Sequence, residues 1–258
     1  MNEVLAALAA AARSLLTRRM IGLVVWPLIG AIVLWAIVAG VFWGDWVQAM
    51  RGLLQTHLLE QVLSASVLAF LGAALAWVLV LPLFVLIVLA TALLITSLFG
   101  MPAMVREIAE RYYPQLERAH GGTARGSVWN AAVAILVYLV LMILSLPLWF
   151  IVPFGGVVLP LLLNAWLNAR LFRYDALAEH ATPNEYRELM RDSRGGLYGL
   201  GLVLAALQLL PSATLILIPF VLLFLPVYSG LAFVHYTLGR LQRLREQQPS
   251  LQPALPMR

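Results

Sequence analysis

Arg18 and Arg19 stand side by side at the entrance to a 25-residue stretch, Met20 to Gly44, that holds no Arg, Asp or Glu. Guanidinium groups beside the unpaired N–H groups of a helix start can bind an anion, since both aim donors and positive potential at one place. The same pair can anchor the helix to lipid headgroups, which is the commoner use of arginine at such a position. A second polar set stands inside an apolar region. Asn164 and Asn168 are one helical turn apart, and Asp175 falls on the same face two turns further on. Polar groups at membrane depth are costly and face a bundle interior or an aqueous cavity. These residues read either as the lining of a polar pathway or as hydrogen-bonding glue between helices. Arg170, beside them, either counters an anion or marks the membrane interface, and the interface is the plainer role.

Other chemistry is thin. There is no Cys, which removes disulfides, thiolate nucleophiles and Cys-based metal sites together. His57, His120, His180 and His235 are far apart, and none forms an i,i+3 or i,i+4 ligand pair. His235 and Gln208 are lone polar groups on apolar arms and read as packing residues. Gly195, Gly196, Gly199 and Gly201 follow no strand, so they read as a close helix contact and not as a phosphate loop. No nucleophile–base set is visible, so neither an enzyme nor a bound cofactor is expected. The net charge of +5 comes with no basic run longer than Arg18-Arg19, and every basic residue is Arg. Nucleic acid is therefore not an expected partner; membrane lipid is.

The elements that must position these residues follow from composition. Apolar residues make up 62% of the chain and charged ones 11%, against about 25% charged in ordinary soluble domains. Too little polar surface exists to clothe a water-soluble globule, so the chain reads as an all-α integral membrane protein. Met1-Asn2-Glu3 and the absence of a small-residue cleavage site predict a retained signal-anchor helix in the first apolar run. Three further charge-free stretches follow: Gln61 to Val105, Gly126 to Ala169 and Gly195 to Gly239. A helix crosses a hydrocarbon core of roughly 30 Å in about 20 residues, so each of these is about twice too long for one crossing. Pro153-Phe154-Gly155-Gly156 is a reversal signal in the second of them, and the segment from Pro211 to Pro219 breaks the third. Pro82 stands alone, and a lone Pro kinks a transmembrane helix more readily than it reverses one. The arms Gly156 to Ala169 and Gly195 to Leu210 are roughly 21 and 24 Å of helix, short of a crossing, which favours re-entrant hairpins over spanning ones.

The expectation is thus a single membrane domain over residues 1–245, followed by a short disordered tail at 246–258. It has long spans at about 20–43 and 62–100 and hairpins at about 127–169 and 196–239. With hairpins that return to their starting side, sixteen of the seventeen Arg fall on one face and only Arg51 on the other. The Arg-rich face is cytoplasmic, with both termini on it. Trp46, Val47, Met50, Leu53, Leu54, Leu58 and Val62 recur at helical spacing, which predicts a helix lying along the outer interface. Met104, Val105, Ile108, Ala109 and Tyr112 form a second stripe opposite Arg106, Glu107, Glu110 and Arg111, with Glu107 and Arg111 spaced for an i,i+4 pair. Thr182-Pro183-Asn184-Glu185 predicts a capped helix running to about Arg194 and stopping at Gly195-Gly196.

Asn164-Ala165-Trp166-Leu167-Asn168-Ala169-Arg170, followed by Tyr174-Asp175-Ala176-Leu177 and His180, resembles the signature of the CysZ-type sulfate permease family within the wider etoposide-induced-protein superfamily. The Val152-Pro153-Phe154-Gly155-Gly156 turn, the Met101-Pro102-Ala103-Met104 helix start and the Pro211 to Pro219 hairpin sit where that family would place them. The resemblance spans roughly Leu8 to Arg243. It implies a bacterial inner-membrane protein with two long spans and two hemi-penetrating hairpins, assembled as a homo-oligomer, that passes sulfate inward for cysteine synthesis. In an anion transporter, Arg18 and Arg19 would attract the anion together with the free N–H groups of the first helix. The family's arginine pair follows a Pro-Gly step close before the Pro of the first span. Here Thr17-Arg18-Arg19-Met20-Ile21-Gly22 lacks that step, and the pair lies about one helical turn earlier before Trp26-Pro27. Two functions follow: a transporter or channel for a small anion, sulfate by resemblance, or a non-transporting scaffold of the same fold that organises lipid or partners.

Overall fold

The computed structural model describes residues 2–55, 65–119, 122–209 and 218–247, and every regular element among them is an α-helix. In chain order these are α1 (Asn2–Leu15), α2 (Arg18–Gln55), α3 (Ala65–Tyr112), α4 (Ala124–Ile151), α5 (Gly155–Leu177), α6 (Pro183–Asp192), α7 (Arg194–Leu209) and α8 (Ile218–Gln247). Among the described residues, three segments are long and apolar enough to cross a membrane: Arg18–Met50, Arg125–Ile151 and Gly155–Leu177. The described residues group into two compact units, one within Met1–Ile21 and Leu98–Arg258, the other within Gly22–Ser97.

In the smaller unit, α2 runs unbroken through Gly44-Asp45 to Gln55, so the first span and the stripe expected along the interface are one helix. Aromatic packing explains the continuity. Trp43 meets Phe84 edge-on at 5.8 Å, Trp46 packs against Trp35 at 6.3 Å, and Val47 and Val80 are buried against Trp43, Trp46 and Met50. Trp35 Nε1 donates to Thr91 Oγ1 at 2.9 Å, giving the indole the partner it needs away from water. Ile32, Val33, Ile37, Val41, Leu81 and Leu83 remain exposed. Apolar faces this extensive are what lipid covers. The outer end of the expected stripe, Leu58 and Val62, lies outside the described residues.

The larger unit is built around α5 and α8. α5 packs on α4, α7 and α8, and α8 also receives α1. Leu231, Ala232, Phe233, Val234, Leu238 and Leu241 are all fully buried, so the middle of α8 is enclosed around its whole circumference. The sequence reading did not separate α1 as an element. Its Ala7, Ala11 and Ser14 are buried at helical spacing, and Tyr228 of α8 donates to the Leu8 carbonyl at 3.2 Å.

α3 continues through Pro102, so the amphipathic segment expected to start at Met101 is the end of the same 48-residue helix. Its Met104, Val105, Ile108 and Ala109 are buried in protein, with Met104 against Gly230 of α8; only Tyr112 of that stripe is exposed. The α4–α5 reversal falls where the Pro-Phe-Gly-Gly run put it. Phe154 takes the left-handed conformation (φ 59°), and Gly155 N donates to the Val152 carbonyl at 2.8 Å. Gly155 is required by proximity: a Cβ there would sit 2.6 Å from the Leu148 carbonyl oxygen. α5 extends beyond Ala169 to Leu177, making 23 residues, or roughly 34 Å at the α-helical rise. The charge-free arm is therefore shorter than the helix that contains it.

The capping box at α6 forms as expected. Glu185 N donates to Thr182 Oγ1 at 3.2 Å, and Thr182 N to Glu185 Oε2 at 2.7 Å. Its end is two residues early: Ser193 closes α6, and Gly195-Gly196 belong to the first turn of α7. The reason is packing. A Cβ on Gly196 would collide with the Tyr236 hydroxyl, and one on Gly201 with the Ala165 carbonyl, whereas Gly195 and Gly199 face open space. The turn expected between Pro211 and Pro219 falls on residues 210–217, outside those described. α8 reaches Gln247, two residues into the expected tail, and 248–258 also lie outside.

Candidate functional site

The break between α1 and α2 is made by Leu16-Thr17. Thr17 Oγ1 donates back to the Ser14 carbonyl at 2.7 Å, and the Thr17 carbonyl accepts from Ile21 N at 3.0 Å at the start of α2. The first-turn N–H groups of α2 have no carbonyl one turn behind them inside that helix. Arg18 and Arg19 leave the chain at this point, and both line an open cleft of about 520 Å³ together with Thr17, Glu107, Glu110 and Arg111. Three guanidinium groups against two carboxylates leave one net positive charge.

These charges are already partly engaged. Arg19 Nη1 donates to Glu107 Oε2 at 2.6 Å; the arginine side chain is 78% exposed and the glutamate 19%. Glu107 thus meets Arg19, 88 residues away, in place of the i,i+4 partner Arg111 suggested by spacing. Glu110 receives Arg118 Nη2 at 3.4 Å. Arg111 lies over the Tyr112 ring at 5.7 Å, and Tyr112 in turn meets the His235 ring edge-on at 5.0 Å. His235 itself is buried with Nε2 2.9 Å from Ser14 Oγ, a packing role as its isolation in the sequence suggested. The charged face Arg106, Glu107, Glu110 and Arg111 was visible as a pattern; that it would meet the start of α2 was not.

The second predicted set, Asn164, Asn168, Arg170 and Asp175, lies on α5 and does not line this cleft. Asn168 is buried with Nδ2 unpartnered, and Asp175 Oδ1 is likewise buried without a partner. Arg173 Nε is buried and unpartnered as well. Unpaired buried polar atoms are rare because each forfeits its hydration. Three of them on one helix, with Asn168 and Asp175 sharing a face, mark α5 as more than apolar filling. Arg170 stacks over Trp166 at 5.4 Å, and its carbonyl accepts from Asn130 Nδ2 of α4 at 3.2 Å. Asn164 is half-buried.

A further Arg–Glu pair ties the ends of this unit together. Arg245 of α8 meets Glu185 with Nε to Oε1 at 2.7 Å and Nη2 to Oε2 at 3.2 Å, and it also donates to the carbonyls of His180 (2.6 Å) and Glu117 (3.1 Å). Nearby, Arg240 bonds Glu3, Asp192 and the Ser193 hydroxyl, and Arg243 bonds Glu3, fastening α1 to the C-terminal end of α8.

No curated protein and no solved structure matches the chain. One family model does, over residues 7–234, and its description is "Sulfate transporter CysZ/Etoposide-induced protein 2.4". That interval takes in α2 to α7 entirely, most of α1, the first half of α8 and both polar sets. With most of its length matched and its apolar helices exposed as lipid-facing surfaces, this chain belongs to the sulfate transporter CysZ/etoposide-induced protein family of membrane proteins.

Proposed function

We propose that the protein carries a small inorganic anion, sulfate, across a bacterial inner membrane. The observation that carries this reading is the family match across residues 7–234. Two features of the larger unit support it. Arg18, Arg19 and Arg111 converge on a cleft at the start of α2 with net positive charge, suited to a hydrated oxyanion. Buried unpaired polar atoms of Asn168 and Asp175 run along α5, as a helix beside a polar pathway would require. In this reading both hairpins return to the cytoplasmic side, sixteen of seventeen Arg face the cytosol, and copies of the chain associate as a homo-oligomer. Tags placed after Arg118 and after Glu188 are then accessible from the cytoplasm.

Uptake of radiolabelled sulfate by the purified full chain in liposomes tests the proposal. Accumulation should exceed that of empty vesicles, and the double change Arg18→Gln, Arg19→Gln should lower it by roughly an order of magnitude without changing insertion. Uptake no greater than in empty vesicles overturns the transport reading. The engagement of Arg19 by Glu107 favours one alternative, a non-transporting scaffold in which these residues are structural. That reading expects the double change to alter insertion or topology and nothing else.

A further inference from the structure

We infer that Glu107 acts as a built-in competing anion in the cleft at the start of α2, and that its charge sets both how tightly the cleft binds an anion and how strongly it favours a dianion over a monoanion. The inference rests on the anion-transport reading above. Glu107 Oε2 occupies Arg19 Nη1 at 2.6 Å, the position an oxyanion oxygen would take. The two sides of the pair are unequal. Glu107 is mostly shielded by its own surroundings, whereas Arg19 is largely in solvent on a long flexible stem. An incoming anion therefore displaces the guanidinium from the carboxylate, and the carboxylate stays in the wall. Exposed ion pairs of this kind are weak, so the displacement is within reach of a ligand that also meets Arg18 and Arg111, which line the same cleft. Glu110 is the lesser competitor because Arg118 already holds it.

Charge arithmetic separates this role from that of a steric plug. A ligand's electrostatic binding energy is its charge multiplied by the potential in the cleft, so removing one carboxylate adds the same increment of potential for every ligand. The affinity gain for a dianion is then the square of the gain for a monoanion. A plug that only fills space releases the same factor for both. One charge at about 4 Å in water corresponds to about a fivefold effect, which gives about fivefold for chloride and about twenty-five-fold for sulfate. Both gains shrink as added salt screens the cleft.

The experiment is equilibrium binding of sulfate and of chloride to the purified full-length protein in detergent at fixed low ionic strength, comparing the natural protein with Glu107→Gln and Glu110→Gln. Glu107→Gln should tighten chloride about fivefold and sulfate by about the square of that factor, with Glu110→Gln producing smaller gains. Glu107→Ala removes the same charge and must give the same ratio, which keeps the test decisive if the Gln form does not fold. Equal gains for the two anions, or none, overturn the inference while leaving sulfate binding by the natural protein, and hence the transport reading, intact. If neither anion binds to any of these proteins, the transport reading fails and this inference fails with it.

Discussion

Glu185 and Glu107 each meet an arginine far away in sequence, 60 residues distant in one case and 88 in the other. Glu185 is completely buried, and Arg245 is 8% exposed. Both carboxylate oxygens are bonded by the guanidinium, and two further donors reach the carbonyls of His180 and Glu117. Glu107 makes one contact with an arginine that is mostly in solvent. The residue types are the same, but the environments set opposite roles. A buried, multiply bonded pair cannot lose a partner without stranding a charge in a low-dielectric interior. A half-exposed pair can exchange its partner for water or another anion at little cost. A pair fixed by burial and a pair open to solvent thus stand within one unit.

The largest effect should come from the buried side. Arg245→Met leaves the Glu185 carboxylate without its cation and two carbonyls without a donor, and should cost about 3–5 kcal/mol. The measurement is thermal unfolding of the purified protein in detergent. Arg19→Gln under the same conditions should leave the midpoint nearly unchanged. If the two variants melt together, the contrast between the pairs is wrong.

Packing between α5 and α7 sets the next scale. Gly201→Ala would drive a methyl group into the Ala165 carbonyl and should cost about 1–3 kcal/mol. Gly199→Ala two residues earlier meets open space and should be neutral or stabilising by up to about 1 kcal/mol from helix propensity. The same thermal scan reads both changes. Neither should alter anion binding at the cleft, whose lining residues are on other helices.

What could be read in advance divides along the same line between local and distant interactions. The α6 cap was legible because Thr182, Pro183 and Glu185 are consecutive and their chemistry is local. The α4–α5 reversal was legible because Pro153 to Gly156 carry it alone. Arg18 and Arg19 could be named as a charged pair at a helix start, but the partner that answers Arg19 comes from α3 and leaves no trace in spacing. The i,i+4 rule pointed Glu107 at Arg111 instead. Gly195-Gly196 misled for a related reason. As a helix stop the motif is local, yet Gly196 serves here to admit Tyr236 of α8, a tertiary demand. Gly44-Asp45 ends the charge-free stretch, but aromatic packing among Trp43, Trp46 and Phe84 carries α2 on through it.

Thr182→Ala sharpens the comparison from the buried side. It removes the acceptor for Glu185 N while leaving Arg245 in place, so it isolates the cap from the ion pair. The expected loss is about 1 kcal/mol, well below that for Arg245→Met. A loss as large as the arginine variant's would mean that the cap orients Glu185 for the pair and that the two act as one unit.

The smallest expected effect is on the exposed side, and it is the most informative. Glu107→Gln should not move the unfolding midpoint measurably, because exposed pairs contribute little and screening removes most of that. Raising the salt concentration should therefore leave the difference between this variant and the natural protein near zero. The difference for Arg245→Met should persist in salt, because ions cannot enter a buried contact to screen it. A salt-sensitive drop at Glu107→Gln comparable to that of Arg245→Met would show that the cleft pair is holding α2 to α3. Arg19 would then not be free to exchange Glu107 for an anion, and the separation between a fixed and an exchangeable arginine would be lost.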